Sequence, residues 1–573
     1  MLVNPQDESP FSLPGFTLPL NFGCDFAGPN GLQLFKTALN VNDLEDTETV
    51  LPLLSLRKIT ISQLINHITD KRRWNEKVQD DTIADRWKAE ALSSGKDITP
   101  QMIEWIIQDL HYKAQDQEAL TYPRVYNGDV VKFDLPRDSN LRLKLKHAVR
   151  ALENIPEAQK DYHPGSNQQV VNLVHPSLFP LVYGKSRILP DTLINLDNCL
   201  DYCGAGEIIP IPPKADTELN PRRHYGYPAP SIRLTDPYSR SFQWLPCNVG
   251  FTSGGYCKIA TYINNLHHKD HRDLYECIEL VLDEAIPLLN ITLSALKKGN
   301  FAFDHLRMSQ WEHEFVPEHL RAGPAPQTTR IHARVRWEKK TIKPEPELYS
   351  PPNTIWSFGD KVDLIRDFGH RELQVIVKLA NIELTPEKPE YEGGVWHVEG
   401  QLNEHICATV LYYYSTENIT PSYLSFRQIS NTDNHKLGGY HNQDEHIFIE
   451  DVYGCEQHGS SVQEVGSVLC TENRLVAFPN ILQHRVEKFK LQDPSRPGHR
   501  KILALFLVDP NIRVISTANV PPQQWPSVHG TGPILDLEEA KELRLRLMEE
   551  RKVFVVTQTA AFKESHKFSL CEH

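Results

Sequence analysis

The sequence predicts an α+β protein in which a helical N-terminal region precedes a larger, β-rich domain. Apolar residues between positions 60 and 110 recur at the three- and four-residue spacing of amphipathic helices. Residues 372–510 instead contain short apolar runs separated by Gly, Pro and polar clusters, which is typical of a sandwich, a barrel or a jelly roll. At 573 residues the chain is long enough for two or more domains, or for one heavily elaborated domain.

Three helices are predicted in the first 120 residues. The first begins near residue 60 with Thr60 as its N-cap, and its apolar face consists of Ile61, Leu64, Ile65 and Ile68. The second holds Ile83 and Trp87. The third begins at Thr99-Pro100, because a capping Thr followed by Pro is typical of a first helical turn. Residues 1–120 are therefore expected to form an N-terminal helical region.

Strand patterns begin at about residue 121. Asn127-Gly128 lies between β-type residues and predicts a hairpin. The stretches "SFQWLPCNVGF" and "YCKIATYINN" are strand-like, whereas residues 273–289 have the spacing of a buried helix. Asp536 is expected to cap a helix that packs on the outside. The predicted units are thus 1–120, 121–525 with a β core at about 370–510, and 526–573 as a C-terminal helix and tail.

Composition excludes several classes of function. The net charge of −13 argues against broad binding to nucleic acid, which needs a positive surface. The longest apolar run, residues 502–508, is far too short to cross a membrane, and the polar start of the chain is no signal peptide. The ten cysteines form no C-x-x-C pair and are expected to be reduced and structural, Cys407 among them. An intracellular protein of the cytoplasm or nucleus is expected, without nucleic-acid or membrane partners.

His397 and Glu399 are the first candidate functional residues. Two residues that are two apart on a strand point to the same face, so both side chains can bind one metal ion. The spacing alone is weak evidence, because four His-x-acid triplets occur, about as many as chance gives for this composition. They start at His268, His271, His370 and His397.

The motifs that follow His397 are more specific than the triplet. The apolar stretch "HICATVLYYY" comes first, then "RLVAFPNILQHRV" with a His at 484, then "GHRKILALFLVD" with Arg500 entering a last apolar strand. In this order residues 390–510 resemble the double-stranded β-helix oxygenases that use iron(II) and 2-oxoglutarate, and in places their prolyl-hydroxylase-like branch. A second resemblance, over roughly residues 14–520, is to a fungal family known only as a domain of unknown function, DUF4246. Similar stretches there are "HPSLFPLVYG", "SRILPD", "WHVEGQLNEHI" and "GHRKILALFLVDP".

The oxygenase resemblance implies roles for five residues. His397, Glu399 and His484 would bind iron(II), since two His and one carboxylate on one face leave positions open for a cosubstrate and O₂. Arg500 would bind the far carboxylate of 2-oxoglutarate through its planar fork, and Tyr413 would hydrogen-bond the same carboxylate. The expected fold is a jelly roll. The expected activity is hydroxylation, or a related oxidation, of an unknown substrate, either a protein side chain or a small molecule.

Some alternatives remain open at the level of sequence. The family most often has Asp where this chain has Glu399, and His/His/Glu also suits zinc, so a zinc-bound jelly-roll enzyme competes with the iron enzyme. A regulatory or non-catalytic binding protein on the same fold is the other alternative. Lys501 and Arg485 compete with Arg500 for the cosubstrate. His370/Glu372 and the pair His267/His271 are weaker metal candidates.

One insertion has no assigned role in the sequence. Residues 427–463 are long and polar, and they contain His435, His441, His446 and His458. The segment is expected to be either a lid over the site or a surface loop.

Overall fold

The computed structural model describes most of the chain. The described residues are 4–23, 32, 34–39, 51–126, 130–136, 138–217, 223–224, 227–228, 237–297, 306–323, 325, 336–352, 361–431, 447–456, 459–526 and 534–564. The Asn127-Gly128 turn and the four histidines of the predicted insertion lie outside these residues.

Helices lie mainly in the first third of the described chain, in one long central segment and at the C-terminal end. They are α1 (Pro5–Glu8), α2 (Leu56–Thr69), α3 (Trp74–Lys77), α4 (Asp81–Leu92), α5 (Pro100–Gln115), α6 (Gln117–Thr121), α7 (Leu141–Glu153), α8 (Arg272–Ala295), α9 (Leu364–Phe368), α10 (Ile447–Tyr453) and α11 (Leu537–Glu564). None of the helices in the described ranges has a stretch of sufficient length and hydropathy to cross a lipid bilayer.

Side-chain caps explain where the N-terminal helices begin. Thr99 accepts a hydrogen bond from the Met102 amide, and Pro100 occupies the first turn of α5, as the sequence predicts. The prediction of Thr60 as the cap of α2 is wrong. Ser55 caps this helix by accepting from the Lys58 amide, and the Thr60 hydroxyl donates to the Leu56 carbonyl inside it. Helix α2 therefore starts at Leu56, more than one turn before Ile61, the first residue of the predicted apolar face.

Short strands make up most of the remaining structure. In chain order they are β1 (Leu51–Pro52), β2 (Arg124–Tyr126), β3 (Val130–Asp134), β4 (Asp161–Tyr162), β5 (Val170–Val174), β6 (Leu181–Val182), β7 (Arg187–Ile188), β8 (Glu207–Ile208), β9 (Arg223–His224), β10 (Tyr227–Pro228), β11 (Phe242–Gln243), β12 (Cys247–Phe251), β13 (Cys257–Ile259), β14 (Glu312–Phe315), β15 (Lys339–Ile342), β16 (Leu373–Leu384), β17 (Glu390–Tyr391), β18 (Ile406–Glu417), β19 (Tyr423–Asn431), β20 (Val462–Leu469), β21 (Arg474–Pro479), β22 (Gln483–Val486), β23 (Phe489–Lys490) and β24 (Gly498–Val508). The chain is thus a mixed α+β protein.

The largest sheet runs in the order β13-β12-β16-β24-β18-β21-β3-β2, with β5 pairing β16 and β4 pairing β5. Its neighbouring strands pair antiparallel, and β2 pairs β3 on either side of the predicted hairpin turn. One face carries Leu503, Leu505 and Leu507 of β24, and α8 packs against the same sheet. We call the other face, which carries Arg500, Ala504 and Phe506, the inner face.

A second sheet runs in the order β1-β19-β20, and β22 also pairs β19. It packs on the inner face of the large sheet, as the contact between Phe426 of β19 and Phe478 of β21 shows, with ring centroids 5.1 Å apart. Edge-to-face aromatic pairs of this kind contribute about 0.5–1.5 kcal/mol beyond their buried area. The space between the two sheets is where the candidate site residues meet.

The C-terminal helix α11 closes one side of this space. The Glu539 amide donates to the Asp536 side chain, so the predicted cap forms. As the sequence predicts, the helix packs on the outside, with Ala540, Leu543 and Leu547 buried on its inward face. From that face Arg551 lies over the Trp244 ring at 3.8 Å and donates to Glu404 at 2.6 Å. Glu404 is fully buried, so α11 supplies its counter-ion.

Candidate metal centre

His397 and His484 are held opposite each other by their own backbones. The His397 amide donates to the His484 carbonyl at 3.1 Å, and the His484 amide donates to the His397 carbonyl at 2.9 Å. This single antiparallel bridge joins the segment after Gly393-Gly394 to β22. Gly393 has φ +92°, and a Cβ there would lie 2.9 Å from the Val486 carbonyl oxygen, so glycine lets the two segments approach.

Glu399 completes the cluster. Its Oε1 lies 3.3 Å from His484 Nε2 and 3.7 Å from His397 Nε2. One ligand atom from each of the three residues lies within 4.8 Å of the other two, so a single ion can contact all three. No other group of this kind occurs in the part of the chain that the structure describes. The predicted convergence of the three side chains is therefore present.

Asn480 fixes the backbone at Glu399, and sequence reasoning missed it. Its side-chain oxygen accepts from the Glu399 amide at 2.9 Å, and its side-chain nitrogen donates to the Glu399 and Ile406 carbonyls at 3.0 and 2.9 Å. Asn480 is fully buried and follows Phe478-Pro479 directly. The sequence signal that could have identified Asn480 is a polar residue directly after a buried apolar strand.

The rings are oriented for ligation. The His397 ring has Nδ1 2.8 Å from the Val395 carbonyl oxygen, so that nitrogen donates and Nε2 keeps its lone pair toward Glu399. The His484 ring packs against Phe478 at 4.7 Å, and its Nδ1 has no hydrogen-bond partner among the described residues. Two imidazole nitrogens and one carboxylate oxygen suit a divalent first-row metal. The donor set thus fits the iron or zinc that the sequence implies.

Electrostatics favour the metal-binding protonation state of two of the three ligands, Glu399 and His484. Burial alone would raise the pKa of Glu399, but hydrogen bonds and the charges of His397 and His484 hold it well below its usual value. Burial and the neighbouring His397 lower the pKa of His484 to about 4. Burial opposes charging of His397, yet its hydrogen bond to Glu399 raises the pKa of that ring. At neutral pH Glu399 is a carboxylate and His484 is neutral, the forms that bind metal.

Arg500 lies deep on the inner face, with 1% of its surface exposed. Its Nη1 donates to the Ser422 hydroxyl at 3.1 Å, and the rings of Tyr413 and Phe489 flank the guanidinium at 5.5 and 5.3 Å. Within the described chain it forms no ion pair, and its Nε has no acceptor. Gly498 permits the tight entry to this strand, because a Cβ there would lie 2.5 Å from the Asn418 carbonyl oxygen.

The rivals of Arg500 are occupied elsewhere. Lys501 pairs with Glu153 at 2.7 Å, and Arg485 lies over the Trp396 ring at 4.5 Å. The Tyr413 hydroxyl is buried without a hydrogen-bond partner among the described residues, beside the Arg500 guanidinium. The structure thus brings Arg500 and Tyr413 together. The Arg500 Nε and the Tyr413 hydroxyl have no acceptor, and no acidic side chain pairs with Arg500, among the described residues.

The weaker metal candidates do not form clusters. Glu372 accepts a hydrogen bond from Asn248 at 2.8 Å. Among the described residues, His370 and Glu372 belong to no group that could hold a metal ion. His267 is partly buried in the turn before α8 and pairs with Asp270 at 2.9 Å. Cys407 is fully buried with a free thiol, in agreement with a structural role.

Comparisons with known proteins give a family without an assigned function. The family model described as "Protein of unknown function (DUF4246)" matches residues 100–528, and its N-terminal domain model matches residues 13–90. The fold and the site define an α+β protein with one two-histidine, one-carboxylate cluster. The chain belongs to the DUF4246 family. No functionally curated protein matches it.

Similar solved structures cover only a small part of the chain. The structure of IDO from Bacillus thuringiensis is 10% identical over 24% of this chain and 46% of its own, with a TM-score of 0.16. A bsmA homolog from Methylobium petroleophilum PM1 is 10% identical over 24% and 42%, with a TM-score of 0.15. The Fe(II)/α-ketoglutarate-dependent dioxygenase TqaL is 12% identical over 25% and 46%, with a TM-score of 0.15. This chain thus spans under half the length of each, and so local a likeness carries no conclusion about activity.

Proposed function

We propose that this chain is an iron(II)- and 2-oxoglutarate-dependent oxygenase with a double-stranded β-helix core. The observation that carries the proposal is the joint placement of two complementary sites between the same two sheets. One is the cluster of His397, Glu399 and His484. The other is Arg500, a buried cation without an acidic partner in the described chain.

The order of strands supports the proposed core. In the large sheet β16, β24, β18 and β21 are neighbours, and on the facing side the His397 segment pairs β22, β22 pairs β19 and β19 pairs β20. From β16 to β24 the main segments alternate between two four-stranded layers except at the β19–β20 hairpin, and the short strands β17 and β23 form a separate pair. This is the arrangement of a jelly roll. The metal cluster lies on the smaller layer and Arg500 on the larger one, so a small ligand held between the layers meets both.

In this proposal each residue has a simple task. His397, Glu399 and His484 hold the metal, Arg500 receives the distal carboxylate of 2-oxoglutarate, and the Tyr413 hydroxyl donates to the same carboxylate. The rings of Tyr413 and Phe489 exclude water around that ion pair. When bound, iron and its cosubstrate supply the oxidation itself. That oxidation would convert 2-oxoglutarate and O₂ to succinate and CO₂ while one oxygen atom is inserted into a C–H bond of the substrate.

The test is metal content and turnover in His484→Ala. We expect loss of bound iron and of succinate formation from 2-oxoglutarate, while the variant still folds and unfolds cooperatively, because a chain of this size has ample core elsewhere. His370→Ala is the matched control, since His370 belongs to an exposed His-x-Glu triplet outside the cluster. Full iron retention in His484→Ala would contradict the assignment. Zinc in place of iron, with no succinate from the wild type, would favour the zinc enzyme.

A further inference from the structure

A lysine on the inner face stands near the metal cluster. Strand β16 reads "LQVIVKLANIEL", and all its residues are buried except Lys378 and Glu383, which are partly buried. Lys378 lies opposite Ala504 of β24, and Ile382 lies opposite Arg500. Residues two or four apart on a strand share a face, so Lys378 and Arg500 both belong to the inner face. Glu383 lies on the other face and pairs with Lys160.

Lys378 has no partner of its own. Within the described chain its ammonium group forms no hydrogen bond and no ion pair at 4.0 Å or less. Burial lowers the pKa of Lys378, and the only carboxylate that opposes this shift is Glu399. Its positive charge acts on His163 and His175 as well as on His397 and His484. Lys378 thus lies among four histidines, two of them in the metal cluster, and shares the inner face with Arg500.

The two unpaired cations are well separated. Arg500 and Ala504, the residue opposite Lys378, are four apart on β24, which places their Cα atoms about 14 Å apart at roughly 3.4 Å per residue. Both side chains are long and both point into the same space. A buried cation is costly unless an anion meets it. Their positions suit the two ends of one ligand that carries a carboxylate at each end.

We propose that Lys378 binds the metal-chelating carboxylate of the 2-oxo acid, at the opposite end of the ligand from Arg500. This inference rests on the proposed function. The charges agree with it, because a divalent ion and Glu399 leave one positive charge, to which Lys378 and Arg500 each add one. The dianion 2-oxoglutarate offsets most of this excess. Lys378 is then a positioning residue that selects a 2-oxo acid and orients its chelating end.

Two related ligands distinguish the role of Lys378 from that of Arg500. 2-Oxoglutarate has both carboxylates, and 2-oxobutyrate has the same chelating end without the distal one. Both are titrated calorimetrically, without oxygen, into the iron-loaded full-length protein. Lys378→Met should weaken both ligands by about tenfold or more, as loss of a charged hydrogen bond does. Arg500→Met should weaken 2-oxoglutarate alone and leave 2-oxobutyrate unchanged.

Controls make the result specific to position 378. Lys501→Met removes a partly buried lysine of the neighbouring strand that pairs with Glu153, and both affinities should stay within about threefold of wild type. Lys378→Arg keeps the charge and should recover part of the affinity. Lys378→Gln is a second variant in case the methionine disturbs folding, which thermal unfolding reports. The iron content should not fall in any of the three Lys378 variants.

The outcomes distinguish this inference from the proposed function. If wild-type protein binds neither 2-oxo acid, the proposed function fails and this inference fails with it. If wild type binds 2-oxoglutarate and both Lys378→Met and Lys378→Gln bind it within threefold, the function stands and this inference is wrong. In that case Lys378 serves another anion, and the chelating end has a different partner.

Discussion

Two buried arginines of the large sheet differ in one respect. Arg474 on β21 and Arg500 on β24 are 2% and 1% exposed. Arg474 donates to both oxygens of Asp134 at 2.6 and 2.8 Å and to Asp70 at 2.7 Å. Arg500 donates only to the Ser422 hydroxyl in the described chain. The same side chain at the same depth is neutralised in one place and has no acidic partner among the described residues in the other, so under the proposed function Arg474 is structural and Arg500 binds an anion.

The largest expected effect is the loss of stability when Arg474, the paired arginine, is replaced. Arg474→Leu removes the guanidinium that binds both Asp70 and Asp134 and leaves Asp70 paired with Lys132. Asp134 is exposed, so the main loss is the buried charged hydrogen bond to Asp70, and the free energy of unfolding should fall by about 1.5–3 kcal/mol. Denaturant titration followed by fluorescence measures it.

The matched control is Arg496→Leu. Arg496 is exposed and pairs with Asp493, so its loss should cost no more than about 1 kcal/mol. Equal stabilities for Arg474→Leu and wild type would mean that the cluster contributes no net stability and would remove half of the comparison.

The second effect is on ligand affinity. Arg500→Met removes an unpaired buried cation, so stability should hold or rise, whereas 2-oxoglutarate should bind about a hundredfold more weakly. Lysine at this position should rescue only part of the affinity, because it keeps the charge and loses the planar fork. Isothermal titration into iron-loaded protein without oxygen gives the numbers. A large loss of stability with unchanged affinity would make Arg500 structural like Arg474.

The smallest effect is at Tyr413. Tyr413→Phe removes only a buried hydroxyl that has no partner in the described chain, so the fold should be unaffected. If the hydroxyl reaches the ligand carboxylate, the affinity for 2-oxoglutarate should fall about fivefold, the value of one ordinary hydrogen bond. Tyr412→Phe, which loses a hydroxyl that donates to Asn473, is the control for a tyrosine of the same strand that faces away. Unchanged affinity in Tyr413→Phe would restrict this tyrosine to packing beside Arg500.

Local signals in the sequence predicted much of the secondary structure. Thr99-Pro100 marks the start of α5 because the cap and the proline act within one turn. Thr60 failed as a cap because the apolar pattern starting at Ile61 lies inside the helix, whose first turn already buries Ile59 in the core. A helix start that is set by neighbouring residues, as in α5, could thus be predicted from the sequence. A helix start inferred only from where an apolar pattern begins, as in α2, could not.

The site was accessible only in part, for a different reason. His397 and Glu399 share a face by spacing alone, and His484 follows a recognisable motif. The partners of Arg474 lie 340 and 404 residues away along the chain, so no local pattern shows that one arginine is paired and the other is not. Lys378 could have been noticed in the sequence, because it is the one positively charged residue in the mostly apolar twelve-residue strand β16.

The contact between Glu404 and Arg551 has a consequence in time. Glu404 accepts from the Gln401 and Trp244 amides at 2.7 and 2.8 Å and pairs with an arginine 147 residues further on. The ribosome therefore makes this carboxylate long before it makes its counter-ion. Until residue 551 has emerged, closing the space between the sheets would bury an unpaired negative charge. We therefore expect this side of the nascent chain to stay open to water until α11 docks and supplies Arg551.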